Sequence, residues 1–88
     1  MKLTDNDIAA KILDYLNHRI SIKELVDWCE IMLLSDDIFF ENTDTSMEIL
    51  TKIGLANVEY FSINWEEWLY MIAKLNYKIR VDYIHLAA

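Results

Sequence analysis

Apolar residues recur at three- and four-residue steps in four stretches of the chain, and polar capping residues stand at the head of each. In the first, "TDNDIAAKILDYLNHRI", Thr4 caps, Asp7 occupies the third helical position, and Ile8, Ile12, Leu16 and Ile20 form the predicted buried stripe. The second starts at "ISIKEL", where Ser21 caps, Glu24 reaches back three residues, and Ile20 is placed to pack on Leu25 as a hydrophobic staple. A tight turn between these two helices follows. The second helix then runs through "IKELVDWCEIMLL" to about Ser35. It is expected to bury Ile22, Leu25, Val26, Cys29, Met32 and Leu33 and to wet Glu24, Asp27 and Glu30.

A third helix is predicted over "TSMEILTKIG", with Thr45 as cap, Glu48 as its reciprocal partner and Gly54 as a left-handed terminator. The fourth begins at "NWEEW": Asn64 caps, Glu67 completes the box, Trp65, Trp68, Leu69, Ile72 and Leu75 supply the apolar face, and Asn76 is a left-handed stop. Beyond it the period changes from helical to two. In "YKIRVDY", Tyr77, Ile79, Val81 and Tyr83 alternate with Lys78, Arg80 and Asp82, the pattern of a half-buried strand. Its internal pairing candidates are "IFFEN" and "VEYFS"; otherwise it is an arm over the helices or pairs between two chains. The expected fold is all-α or mainly α, a compact four-helix bundle with a short C-terminal extended strand.

Composition narrows the class. With 88 residues the chain is expected to form one domain spanning 1–88, and 55% hydrophobic residues are too many for a disordered chain. No run approaches the roughly 18 to 20 apolar residues of a membrane span, and "MKLTDNDIAA" carries acids where a secretory signal has its apolar region. The expectation is a soluble, cytoplasmic protein without a membrane partner. The single cysteine, Cys29, has no second thiol for a disulfide or a zinc site, and one glycine cannot build a phosphate loop.

Charge is concentrated. The net charge is −7, yet from Glu24 to Glu67 eleven acids face one base, Lys52. Such a field repels phosphates and attracts cationic surfaces, which argues against nucleic-acid binding and for a basic protein partner. The plainer role of the same acids is solubility. As catalysts they are poorly arranged, because adjacency along the chain, as in Asp36 with Asp37 or Glu66 with Glu67, does not aim two carboxylates at one point. "DDIFFENTD" lacks the central glycine of a calcium loop, and Asp14 with His18 is one helical-turn pair without further ligands. Cys29 falls on the apolar stripe, where a buried thiol is inert. The chain is expected to be no enzyme and to hold no metal or cofactor.

The segment "SDDIFFENTD", residues 35 to 44, has neither helical nor clean strand periodicity, and it sets apolar residues among acids. Rings supply desolvated contact area and acids supply steering, so this combination suits an interface with a basic partner. One of Phe39 and Phe40 is expected to face inward and the other to face the partner. The predicted partner-binding residues are Asp36, Asp37, Phe39, Phe40, Glu41 and Asp44, followed by Glu24, Asp27, Trp28 and Glu66.

The layout "ISIKELVDWCE", an acidic stretch, then "ILTKIGLANVEYFSINWEEWLYMIAKLNYKIRV" resembles small acidic helical bacterial immunity proteins that accompany secreted or contact-delivered toxins. The resemblance spans roughly residues 8 to 81 and rests on an "ISxxELxxW" helix start, an "IGLAxV" helix end and a tryptophan-acid helix that leads into a tyrosine-headed strand. It implies an antitoxin that binds and neutralises a cognate basic toxin domain, a nuclease by the charge argument, without performing chemistry itself. The alternative is a self-assembling adaptor or structural module, a homodimer through residues 77–83.

Overall fold

Side-chain oxygens mark where three of the helices begin. A computed structural model describes residues 1–54 and 63–76 of the protein. The first helix, α1 (Asp5–Leu16), opens on a closed capping box: Asp7 N donates to Thr4 Oγ1 at 3.0 Å and Thr4 N donates to Asp7 Oδ2 at 3.0 Å. The second, α2 (Ile22–Leu34), repeats it with Ser21 and Glu24, at 3.1 and 3.2 Å. The third is α3 (Thr43–Gly54), and the fourth is α4 (Trp65–Lys74), where Glu67 N donates to Asn64 Oδ1 at 2.8 Å. The return half of that last box does not form as expected, because Glu67 Oε2 lies 3.2 Å from Lys52 Nζ of α3.

The helix ends depart further from expectation. The first helix stops at Leu16 and does not continue to Ile20, because His18 turns left-handed at φ 60°. Arg19 N then donates to the Asp14 carbonyl at 2.8 Å and His18 N to the Tyr15 carbonyl at 3.0 Å, the two bonds of a Schellman motif. The accompanying contact is ionic, between Arg19 Nη1 and Asp14 Oδ1 at 3.2 Å. Asn76 has φ 65°, the left-handed stop expected of it.

Gly54 is not left-handed, which corrects its assignment as a terminator. It closes α3 against α2: a Cβ there would stand 3.3 Å from Leu33 Cδ1, 3.4 Å from Cys29 Cβ and 3.5 Å from Glu30 N. Its lack of a side chain allows the close approach. Thr45 is no cap either, since α3 begins at Thr43, and Glu48 accepts a hydrogen bond from Tyr70 Oη at 3.2 Å.

All four helices feed one apolar cluster, and the described chain is mainly helical. Ile8, Ala9 and Ile12 enter from α1, Leu25, Val26 and Cys29 from α2, Ile49, Leu50 and Ile53 from α3, and Trp68, Met71 and Ile72 from α4, with Leu3 and Leu75 beside them. The expected Leu16, Ile20, Ile22, Met32 and Leu33 pack on this cluster half-buried. The most extensive helix contact is between α2 and α3. Rings of Tyr15 and Trp68, 5.3 Å apart and tilted by 40°, join α1 to α4. The apolar face of α4 is rotated from the predicted one: Trp65 is 49% exposed and Leu69 is also exposed, while Met71, not predicted, is buried. Trp65 sits on the first turn, ahead of the packed length of the helix, and the buried residues 68, 71, 72 and 75 keep helical spacing.

The segment "IFFEN" finds its partner at the other end of the chain. Lys2–Leu3 forms β1 and Phe39–Phe40 forms β2, paired in parallel with Lys2 opposite Phe39 and Leu3 opposite Phe40. Phe39 N donates to the Met1 carbonyl at 2.8 Å and Glu41 N to the Leu3 carbonyl at 2.9 Å. The pairing considered between "IFFEN" and residues 77–83 falls outside the described residues. The predicted strand at 77–83 and the candidate "VEYFS" lie outside the described residues.

Glu41 is thereby brought beside the start of α1, where Asp5 is 7% exposed and one of its carboxylate oxygens has no hydrogen-bond partner among the described residues. Burial, and secondarily the Glu41 charge, hold the Asp5 carboxyl above its ordinary pKa. A carboxyl with a raised folded-state pKa binds its proton more readily in the fold than in the unfolded chain. Its stabilising contribution therefore grows as pH falls through the folded pKa and is lost as pH rises through it. Asp5→Asn is expected to raise Tm at neutral pH, with the gain shrinking on titration from about pH 7 to about pH 4. A gain that stays constant across that range, read by thermal circular dichroism, would remove Asp5 as the source.

Candidate functional site: an acidic connector and the outer arc of α2

The connector from α2 to α3, residues 35–42, carries the acids and rings singled out in the sequence. Because β1 and β2 are in register, side chains alternate across the pair: Leu3 and Phe40 turn toward the core, and Lys2 and Phe39 turn to solvent. Phe40 packs half-buried on the core cluster together with Ile38, whereas Phe39 is 73% exposed. Phe39 is thus the outward ring of the pair.

Asp36, Asp37 and Glu41 are exposed on the connector, and Asp44 follows in the first turn of α3. None of the four makes an ion pair among the described residues. Asp44 has a local function as well, since a carboxylate in the first turn complements the positive end of the helix dipole. The connector therefore gathers Asp36, Asp37, Phe39 and Glu41 within a few residues, with Asp44 adjoining.

The remaining predicted residues are spread over the helices. Glu24 serves the capping box of α2 and stands about 15 Å from Leu34 by the helical rise. Asp27 pairs with Lys23 at 2.8 Å, a contact that also raises the Lys23 pKa. Both partners are exposed, so the pair contributes little stability. Trp28 is half-buried against the core, with Lys11 Nζ 5.6 Å from its ring centroid, and so acts chiefly as an α1–α2 contact. Glu66 adjoins Glu67, whose partner Lys52 is in the last turn of α3, about 12 Å along that helix from Asp44. The structure does not draw Glu66 to the connector.

Two residues escaped the sequence reading. Ile31 is 58% exposed and Leu34 is 82% exposed, both on the C-terminal half of α2. At 100° per residue they fall on the same outer arc as Glu24, Asp27 and Glu30, opposite Leu25, Val26, Cys29 and Leu33. The signal was present in "DWCEIMLL": Ile31 follows Asp27 by four residues and Leu34 follows Glu30 by four, which puts apolar groups on an otherwise charged arc.

No protein family, curated protein or solved structure matches this chain. Cys29 is buried, and desolvation, with a smaller effect of the Glu30 charge, pushes its thiol pKa up to about 12, so no thiolate forms near neutral pH. Among the described residues no group of three His, Cys, Asp or Glu side chains could hold a metal ion, and no helix is long and apolar enough to cross a membrane.

Proposed function

We propose that this protein is an immunity protein: it binds a basic toxin domain, a nuclease in the favoured case, and blocks its active site or an adjacent exosite. The scaffold in this reading is a four-helix bundle that performs no reaction and works in the cytoplasm. The observation that carries the reading is the connector itself, where exposed Asp36, Asp37 and Glu41 lack ion-pair partners among the described residues and flank an outward Phe39. A nuclease must be basic to hold phosphates, so an acidic surface with an aromatic anchor can compete for that site. The resemblance in sequence layout to helical immunity proteins supports the same conclusion. Self-assembly through residues 77–83 is the competing reading, and that segment lies outside the described residues.

The test is capture with the tagged full chain from its native cells, with low-salt and then high-salt washes, followed by assay of the captured protein. The expected partner is one basic protein that survives high salt and whose toxic activity disappears on stoichiometric addition of this chain. Asp37→Asn is expected to slow association by up to about tenfold at low salt while leaving dissociation nearly unchanged, because an exposed charge steers encounter more than it holds the complex. Recovery of only further copies of the chain, with a concentration-stable dimer mass, would replace this reading with the assembly module.

A further inference from the structure

The acidic connector is continuous in sequence with an exposed patch on α2. The outer arc of that helix exposes Ile31 and Leu34 at three-residue spacing, so the two side chains lie next to each other on the helix surface. Glu30, one turn back from Leu34 on the same arc, and Asp36 and Asp37, just past the helix end, are three exposed acids close to them along the chain, while Asp27, one turn back from Ile31, is held by Lys23 at 2.8 Å. The last turn of α2 contains no basic residue, and its carbonyl end adds the negative pole of the helix dipole. Acids placed at that pole raise the energy of the free protein, and a cationic partner would relieve it.

The geometry points to a docking site for an amphipathic basic helix of a protein partner, seated on Ile31 and Leu34, with its Lys or Arg residues paired to Glu30, Asp36 and Asp37. Two apolar side chains one turn apart form a ridge of the kind that enters the groove of another helix. Flanking charges of one sign select a partner helix whose own flanks carry the other. A second copy of this chain would bring like charges together at that ridge, and an anionic bilayer would be repelled by the same acids. The inference deepens the proposed function, since it gives the partner's contacting element a chemical form, and it rests on that reading only for the partner being a toxin.

The probe is a synthetic amphipathic Leu/Lys helix of about 18 residues, long enough to hold helical structure. It is titrated into the isotopically labelled full chain, with a scrambled peptide of the same composition as control. Amide shifts are expected to concentrate between Asp27 and Asp37, and Leu34→Ser is expected to weaken binding about tenfold or more without changing Tm, since Leu34 is exposed. Ile31→Ser should behave alike. The inference is overturned if Leu34→Ser binds within about twofold of the native chain, or if the scrambled peptide binds equally well, which would reduce the effect to bulk charge. It is overturned too if the chain is a dimer that Leu34→Ser dissolves, or if uncharged phosphatidylcholine vesicles shift the same amides more strongly than the peptide does. A captured toxin that binds Leu34→Ser normally would sink this inference and leave the proposed function standing. Peptide docking as expected, with no toxin captured, would do the reverse.

Discussion

Replacing Trp68 by alanine is expected to remove about 3–5 kcal/mol of folding stability, close to half of what a small domain possesses. Trp68 is 4% exposed, belongs to the central cluster, and lies 5.3 Å from the ring of Tyr15. Its removal leaves a cavity at the α1–α4 contact and deletes a ring pair that contributes beyond its buried area. Trp65, on the same helix but half exposed, is the internal control: Trp65→Ala should shift stability by no more than about 0.5 kcal/mol. Chemical denaturation followed by far-ultraviolet circular dichroism measures both. Similar losses for the two variants would mean that α4 presents the face predicted from its sequence and not the one that buries Trp68, Met71, Ile72 and Leu75.

The second large effect divides adjacent residues of the connector. Phe39→Ala should leave stability nearly untouched and weaken binding of the basic partner by at least about 2 kcal/mol, roughly thirtyfold, as expected for an aromatic anchor among acids. Phe40→Ala should do the opposite, costing about 1–3 kcal/mol of stability because a half-buried ring leaves part of a cavity, with little change in affinity once folded. The two readouts, denaturation midpoint and dissociation rate, must cross. If Phe39→Ala lowers stability and spares affinity, the outward ring is a packing element and the connector is no interface.

The starts of α1, α2 and α4 were legible because capping is local, whereas the cap expected at Thr45 falls inside α3. Thr4 with Asp7 and Ser21 with Glu24 close hydrogen bonds within four residues, so no distant contact is needed to set them. The ends were less legible. A left-handed His18 stops α1, although a glycine is the usual signal for that conformation, and the chain's one glycine was assigned that task at position 54 where the structure uses it for helix approach. Of the candidate site, the exposure of Asp36, Asp37, Glu41 and Asp44 and of one ring beside them could be read from the sequence, and the choice between Phe39 and Phe40 could not. That choice followed from pairing with residues nearly forty positions away. Ile31 and Leu34 were visible in the helical spacing, but they were hidden inside a run that reads as uniformly apolar.

By itself the sequence determined the helical class, the capped starts of α1, α2 and α4, the buried stripe of α2 and the concentration of acids between Glu24 and Glu67, because each depends on spacing along the chain or on composition alone. Only the tertiary structure decided which face of α4 is buried, which phenylalanine is turned out, why Gly54 is bare, and that Asp5 lies desolvated beside Glu41. Those outcomes come from contacts between segments far apart in the chain. A local pattern limits such contacts, but the packing of one element against another selects among them.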